Sequence, residues 1–107
     1  MAPRERSIKH LLLWLIAGTR GGVNRGRIIT ALMEEPRNAN QLGKILKVDY
    51  RMVRHHLDIL EKNDLITIVG EGYGRMYFLS HVLEENFEVF EEIWNRIGKK
   101  LKSKEME

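Results

Sequence analysis

Two arginines stand three positions apart near the middle of the chain, flanked by other side chains that can form hydrogen bonds. They are Arg51 and Arg54, with Tyr50 before them and His55 after them. A guanidinium group can donate two parallel hydrogen bonds to guanine, and it can also bind a phosphate oxygen. The four side chains therefore predict a surface that contacts nucleic acid. The alternative for Arg54 is an ion pair with Asp58, four positions later on a helix.

Side chains of similar chemistry occur on both sides of this group. Lys44, Asn38 and Asn40 belong to a short helix whose N-terminus can contact phosphate, although helix capping alone would also explain Asn38. Tyr73 and Arg75 follow a glycine-rich turn, and an arginine there can enter the minor groove of A·T-rich DNA. We add these five residues to the predicted DNA-binding set.

Other chemistries find little support in the sequence. There are no cysteines, which excludes disulfides, thiolate catalysis and cysteine-ligated zinc. His55 and His56 are adjacent, and neighbours on a helix point about 100° apart, so one metal ion cannot easily bind both. We expect His56 to pack with the core and His55 to be exposed. No catalytic residue, metal site or cofactor is predicted.

Two short helices joined by a tight turn are predicted between residues 38 and 63. Asn38 and Gln41 form a capping box that begins the first helix, and Asp49 is a suitable N-cap for the second. Three apolar residues of the second helix share one face, at spacings i, i+4 and i+7: Val53, Leu57 and Leu60. This arrangement is typical of a helix-turn-helix.

The flanking segments complete the predicted fold. A helix from Arg4 to Ala17 is followed by a glycine-rich break, and a second helix is capped by Asn24 and ended by Pro36. After the helix-turn-helix, residues 65–69 and 75–79 are rich in β-branched and aromatic residues around a turn with three glycines. A hairpin at this place is a wing.

The terminal helices predict a dimer. Ser80 caps a last helix whose apolar residues recur at spacings of 3 and 4, as in a coiled-coil seam. The first helix is apolar on two faces, which favours burial against both the domain and a partner, the alternative being an anchor at a membrane surface. The predicted interface residues are Leu12, Leu15, Leu83, Phe87, Phe90, Trp94, Ile97 and Leu101.

The charge of the chain is mildly basic and unevenly distributed. The formal net charge is +3, and the first 30 residues carry one acidic residue against six basic ones. Such asymmetry suits a protein with one side facing DNA. Arg20, Arg25 and Arg27 can contact phosphate, or they can pair with Glu34, Glu35 or the acidic last helix. The sequence does not decide between these roles.

These motifs together resemble those of a known family, the archaeal ArsR-like winged helix-turn-helix transcriptional regulators. The similar segments are residues 19–25, 38–42, 49–60, 73–74 and 77–80. The resemblance implies a dimeric transcription regulator. The cysteine-rich metal motifs of the ArsR metal sensors are missing. Lys47 stands where many relatives have a glycine. Because a left-handed lysine costs about 1 kcal/mol, we expect this turn to be built differently.

The sequence therefore predicts a mainly α winged helix-turn-helix domain with a small β-hairpin, spanning residues 1–107. Its parts are an N-terminal helix (1–18), the core (22–79), a dimerisation helix (80–102) and a frayed tail (103–107). We expect a cytoplasmic, homodimeric, sequence-specific regulator that binds double-stranded DNA and no membrane; whether a small-molecule effector exists is left open. The alternatives are a nonspecific architectural DNA-binding protein and a winged helix module for protein interaction.

Overall fold

A computed structural model describes residues 3–106, with side chains for residues 7–100. The elements are α1 (Pro3–Leu12), a π-helical turn (Leu13–Ala17), α2 (Gly22–Glu34), α3 (Ala39–Leu46), α4 (Tyr50–Lys62), β1 (Ile66–Val69), β2 (Met76–Leu79), α5 (His81–Glu85) and α6 (Phe87–Met106). The predicted fold class, mainly helical with a two-stranded hairpin, is confirmed.

Local hydrogen bonds fix the helix-turn-helix formed by α3 and α4. The side chain of Asn38 accepts from the Gln41 amide and the side chain of Gln41 accepts from the Asn38 amide, both at 2.8 Å, so the predicted capping box is present. Asp49 caps α4 as predicted, accepting from the Arg51 amide at 3.2 Å. Lys47 adopts the left-handed conformation, with φ 55 and ψ 48, at the end of α3. The expectation that this turn avoids a left-handed lysine is wrong.

The wing is tied to the start of α3 by an additional pair of backbone hydrogen bonds. β1 and β2 pair antiparallel, from Ile66 opposite Leu79 to Val69 opposite Met76. On its other side, the Tyr77 amide donates to the Arg37 carbonyl at 2.9 Å and the Arg37 amide donates to the Tyr77 carbonyl at 3.3 Å. The hairpin is therefore held beside the N-terminus of α3.

The N-terminus of α2 departs from the sequence prediction. Gly21, and not Asn24, occupies the N-cap position, and Asn24 lies inside the first turn of the helix. Gly22 is buried, and a Cβ atom there would lie 2.5 Å from the carbonyl carbon of Ile16. The close approach of these two backbones sets how α2 packs against the π-helical turn.

The apolar face of the last helix, which we predicted to contact a second copy of the chain, packs differently. Asn86 interrupts the single helix that we predicted, dividing it into α5 and α6, and α6 continues to Met106. The apolar face of α6 is turned toward α1, the π-helical turn and α2 of the same protomer. Trp94, for example, lies directly over Gly26 of α2 and stacks on Phe90 with ring centroids 5.9 Å apart.

Because of this packing, several of the predicted interface residues belong to the core of the protomer. Four of them are buried inside the protomer and have no surface left to cover with a second copy: Leu12, Leu15, Leu83 and Phe90. Their role is therefore in the protomer's own core, because the heptad face of the helix is already occupied. Phe87, Trp94 and Ile97 are half-buried against the same core. The side chain of Leu101 lies outside the described residues.

Candidate nucleic-acid interface

A cleft of about 490 Å³ opens between the wing and the N-terminal ends of α3 and α4. It brings together six of the nine predicted DNA-binding residues, although they come from three separate segments of the chain. They are Asn38, Asn40, Tyr50, Arg54, Tyr73 and Arg75, and the other lining residues are Ala39, Gly72 and Tyr77. No carboxylate lines the cleft, so two arginines dominate its electrostatic character.

Arg54 is positioned in this cleft by an aromatic neighbour and not by an acid. One terminal nitrogen of its guanidinium donates to the Tyr50 hydroxyl at 3.4 Å, and this bond raises the pKa of Arg54. Its Nε is shielded from solvent and has no hydrogen-bond partner. The ion pair with Asp58 that the sequence offered as an alternative is not formed, so the positive charge of Arg54 remains available.

The outward face of α4 carries the remaining two side chains of the central group. Val53 and Leu57 are completely buried, which fixes how α4 is oriented on the core. Successive residues advance by about 100° around a helix, so Arg51 and His55 lie opposite this buried face. Both are exposed. Asp58 is also exposed, about one turn after His55. Its carboxylate therefore lies at the end of the exposed face that carries Arg51 and His55.

Lys44 and Arg20 lie outside the cleft. Lys44 is an exposed residue of the last turn of α3. Arg20 is exposed in the loop between the π-helical turn and α2. A contact of either side chain with phosphate stays a prediction.

Arg25 and Arg27 have structural roles that the sequence did not reveal. Arg25 is buried; its Nε donates to the Leu15 carbonyl at 2.9 Å, and a terminal nitrogen bonds the Thr19 hydroxyl. Arg27 donates to the Leu46 carbonyl at 2.8 Å, at the C-terminus of α3. Neither arginine forms an ion pair among the described side chains, so the pairing with an acid is wrong for both. Arg25 is too deeply buried to contact phosphate, whereas a phosphate contact by the half-buried Arg27 stays a prediction.

His56 completes the buried network around Arg25. Its Nδ1 lies 3.3 Å from a terminal nitrogen of Arg25, and the residue is buried, as predicted, while His55 is exposed. Burial first, and then the electrostatic effects of Arg25 and His55, lower the pKa of His56. The ring is therefore neutral at pH 7, and its Nδ1 accepts a hydrogen bond from Arg25.

Two residues that position the cleft were missed by sequence reasoning. Tyr77 is buried and lines the cleft, and Arg37 holds it through the paired backbone hydrogen bonds described above. Forty residues separate them, and no local pattern marks such a bridge. Among the described residues, no group of three histidine, aspartate or glutamate side chains is arranged to hold a metal ion.

Comparison with known proteins is consistent with this geometry. Residues 23–67 match the family model described as bacterial regulatory protein, arsR family. This segment of the chain is therefore similar to the helix-turn-helix region of that family. The matched segment covers α2, α3 and α4 and ends within β1. No curated protein has a sequence that matches the chain significantly.

Solved structures extend the similarity from the matched segment to most of the fold. Reduced HlyU from Vibrio cholerae superposes with a TM-score of 0.62 at 20% identity, covering 87% of this chain and 92% of HlyU. The reduced transcriptional regulator YodB from B. subtilis gives 0.62 at 24% identity, with 87% of each chain covered. A MepR mutant from S. aureus, bound to an oligodeoxyribonucleotide, gives 0.61 at 19% identity, covering 92% and 74%. These neighbours share the winged helix fold.

No helix in the described part of the chain combines the length and the apolar character that crossing a membrane requires.

Proposed function

We propose that the protein is a sequence-specific DNA-binding transcriptional regulator that acts as a homodimer, with α4 in the major groove and the wing against the backbone. One observation carries this proposal: the exposed side of α4 presents Arg51 and His55 next to a cleft that contains two unpaired arginines and no acid. A helix of this width fits the major groove of B-form DNA. A MepR mutant of similar fold is bound to an oligodeoxyribonucleotide, which supports DNA as the partner of this chain.

Sequence-specific binding predicts a defined effect of Arg51→Ala. Selection from a random DNA pool first supplies the preferred site, and the affinity for that site and for random DNA is then measured. Loss of a bidentate contact to guanine should weaken binding to the selected site by roughly 1–3 kcal/mol, which is about 5- to 150-fold, and relax the preference at one base pair. Binding to random DNA should change much less.

Lys62→Ala is the matched control because it removes a positive charge from the opposite end of the same exposed helix. It should leave the preferred sequence unchanged. If the pool yields no preferred sequence, and Arg51→Ala weakens all DNA equally, the protein is an architectural DNA-binding protein and the proposed specificity is wrong.

We propose that the homodimer forms through the outer side of α1 and the π-helical turn. Trp14 is 60% exposed there, beside the half-buried Leu11 and Leu13. An exposed tryptophan next to partly buried leucines is the kind of surface that a partner covers. A two-fold axis would bring both copies of this face together. We propose that the two α4 helices of this dimer bind half-sites about one DNA turn apart.

Trp14→Ser should therefore give a monomer without unfolding the domain. Each buried tryptophan contributes about 2 kcal/mol to the stability of the dimer, and a symmetric interface contains it twice. The dissociation constant of the dimer should therefore rise by roughly a hundredfold or more. Molar mass from light scattering and DNA affinity should both fall. Val69→Ser is the control, since Val69 is also 60% exposed but lies on the wing. A Trp14→Ser protein that remains dimeric would require a different interface.

A further inference from the structure

We infer that the cleft between the wing and α4 is a binding site for a phosphate group, one phosphodiester of the DNA backbone. In this assignment Arg54 is a phosphate ligand, and the reading of bases is left to Arg51 and His55. The inference rests on the proposed function and divides the basic residues of that surface into two roles.

The charge of the cleft favours an anion. Arg54 comes from α4 and Arg75 from the wing, and both line the same cleft. Among the residues with described side chains, the ion pairs join Arg37 with Glu35, His81 with Glu84 and Arg96 with Glu92. Neither cleft arginine takes part, and no lining residue is acidic. Two uncompensated guanidinium groups around one cavity attract a phosphate strongly.

Backbone amides at the N-terminus of α3 add uncharged hydrogen-bond donors to the site. The capping box occupies the Gln41 amide, and the Leu42 amide donates to the Asn38 carbonyl. The amides of Ala39 and Asn40 have no acceptor within the helix, because the first amides of any helix lack one. Both residues line the cleft. The two amides thus add to the arginines as donors for an anion.

The direction of Arg54 separates it from the bases. It lies about 60° around α4 from Arg51, on the flank of the helix that faces the wing. The Tyr50 hydroxyl holds its terminal nitrogen, and its shielded Nε shows that the side chain is packed along the protein surface. A side chain held in this way meets the DNA at its backbone. Arg51, by contrast, extends from the exposed face.

The wing is fixed firmly enough to make this a preformed site. The backbone bridge between Arg37 and Tyr77 joins β2 to the residue before the Asn38 cap. Arg75, two residues before Tyr77, is therefore held near the N-terminus of α3. A phosphate in this cleft can therefore contact the N-terminus of α3, Arg54 of α4 and Arg75 of the wing together.

Arg54→Met tests the assignment because methionine keeps most of the packing against Tyr50 and Tyr77 but removes the charge. Affinity is measured for the selected site and for random DNA over a range of salt concentrations, with Arg51→Ala in parallel. We expect Arg54→Met to weaken both DNAs by a similar factor, on the order of tenfold, with an unchanged preferred sequence. The slope of log K against log salt should fall by about 1.

DNA containing single methylphosphonate linkages then locates the phosphate. The wild type should lose affinity when one particular linkage is neutral, and Arg54→Met should be indifferent to that linkage alone. Circular dichroism and thermal unfolding confirm that the variant is folded. A titration with inorganic phosphate, monitored by NMR, tests whether the cleft binds free phosphate instead of a phosphodiester of DNA.

The outcomes separate the two proposals. An altered base preference in Arg54→Met, or an unchanged salt slope, overturns the phosphate assignment while DNA binding stands. A cleft that binds inorganic phosphate but shows no sensitive linkage takes a free anion, and the DNA-backbone assignment is wrong. Failure of the wild type to bind any DNA overturns the proposed function and this assignment together.

Discussion

Replacing Gly22 with alanine is expected to destabilise the protein by about 3 kcal/mol or more, because the new methyl group has no room. Its Cβ would lie 2.5 Å from the carbonyl carbon of Ile16 and still closer to the oxygen. The obstacle is backbone, so no rotamer change relieves the overlap. α2 must then move away from the π-helical turn, and the buried residues on both sides lose contact. The melting temperature should fall by roughly 12 °C or more.

Gly98→Ala is the matched control for this experiment. Gly98 lies inside α6, and a Cβ atom there would meet nothing within 4 Å. Alanine should stabilise the helix slightly, by up to about 1 kcal/mol. Urea or thermal unfolding of both variants makes the comparison. Equal stabilities for the two variants would show that the approach of α2 to Ile16 is not as tight as described.

Replacing Arg25 with methionine should remove a comparable amount of stability for a different reason. The Leu15 carbonyl, the Thr19 hydroxyl and the His56 Nδ1 all receive hydrogen bonds from this one buried guanidinium. Methionine fills part of the volume but leaves the His56 Nδ1 and the Thr19 hydroxyl without this donor, at about 1–3 kcal/mol for each unsatisfied group. The Leu15 carbonyl keeps only its hydrogen bond from the Thr19 hydroxyl. We expect the free energy of unfolding to fall by about 3 kcal/mol.

Two further variants make the interpretation specific. Arg20→Met removes an exposed arginine from the same region and should change stability by less than about 0.5 kcal/mol. Arg25→Lys keeps the charge but donates from a single nitrogen, and it should fail to restore stability because it cannot reach three separated acceptors. A fully stable Arg25→Lys protein would mean that the charge matters and the network does not.

The helix-turn-helix and the wing could be predicted from sequence because their determinants are local. Asn38 and Asp49 cap helices through bonds to amides two and three residues away, and Ser80 does the same for α5. The turn at Lys47 shows the limit of such rules. There the packing of α3 against α4 imposes a left-handed conformation that the residue type alone disfavours.

The packing of α6 inside the protomer and the role of the buried arginine could not be predicted, because both depend on distant partners. The spacing of the apolar residues shows that one face of α6 is apolar. It does not show whether that face contacts a second chain or α1 of the same protomer. Arg25 bonds the Leu15 carbonyl 10 residues away and His56 31 residues away. Nothing in the neighbouring sequence distinguishes it from Arg20, which is exposed. The cleft likewise exists only when three segments come together.

The placement of the two tryptophans has a practical consequence for spectroscopy. Trp94 lies over Gly26 and stacks on Phe90, so its emission follows the integrity of the core. Trp14 is mostly in water in the protomer, and its emission should shift to shorter wavelength when another surface covers it. The chain thus carries two intrinsic fluorophores in unlike surroundings. Single Trp→Phe replacements would let unfolding and association be followed separately, without an added dye.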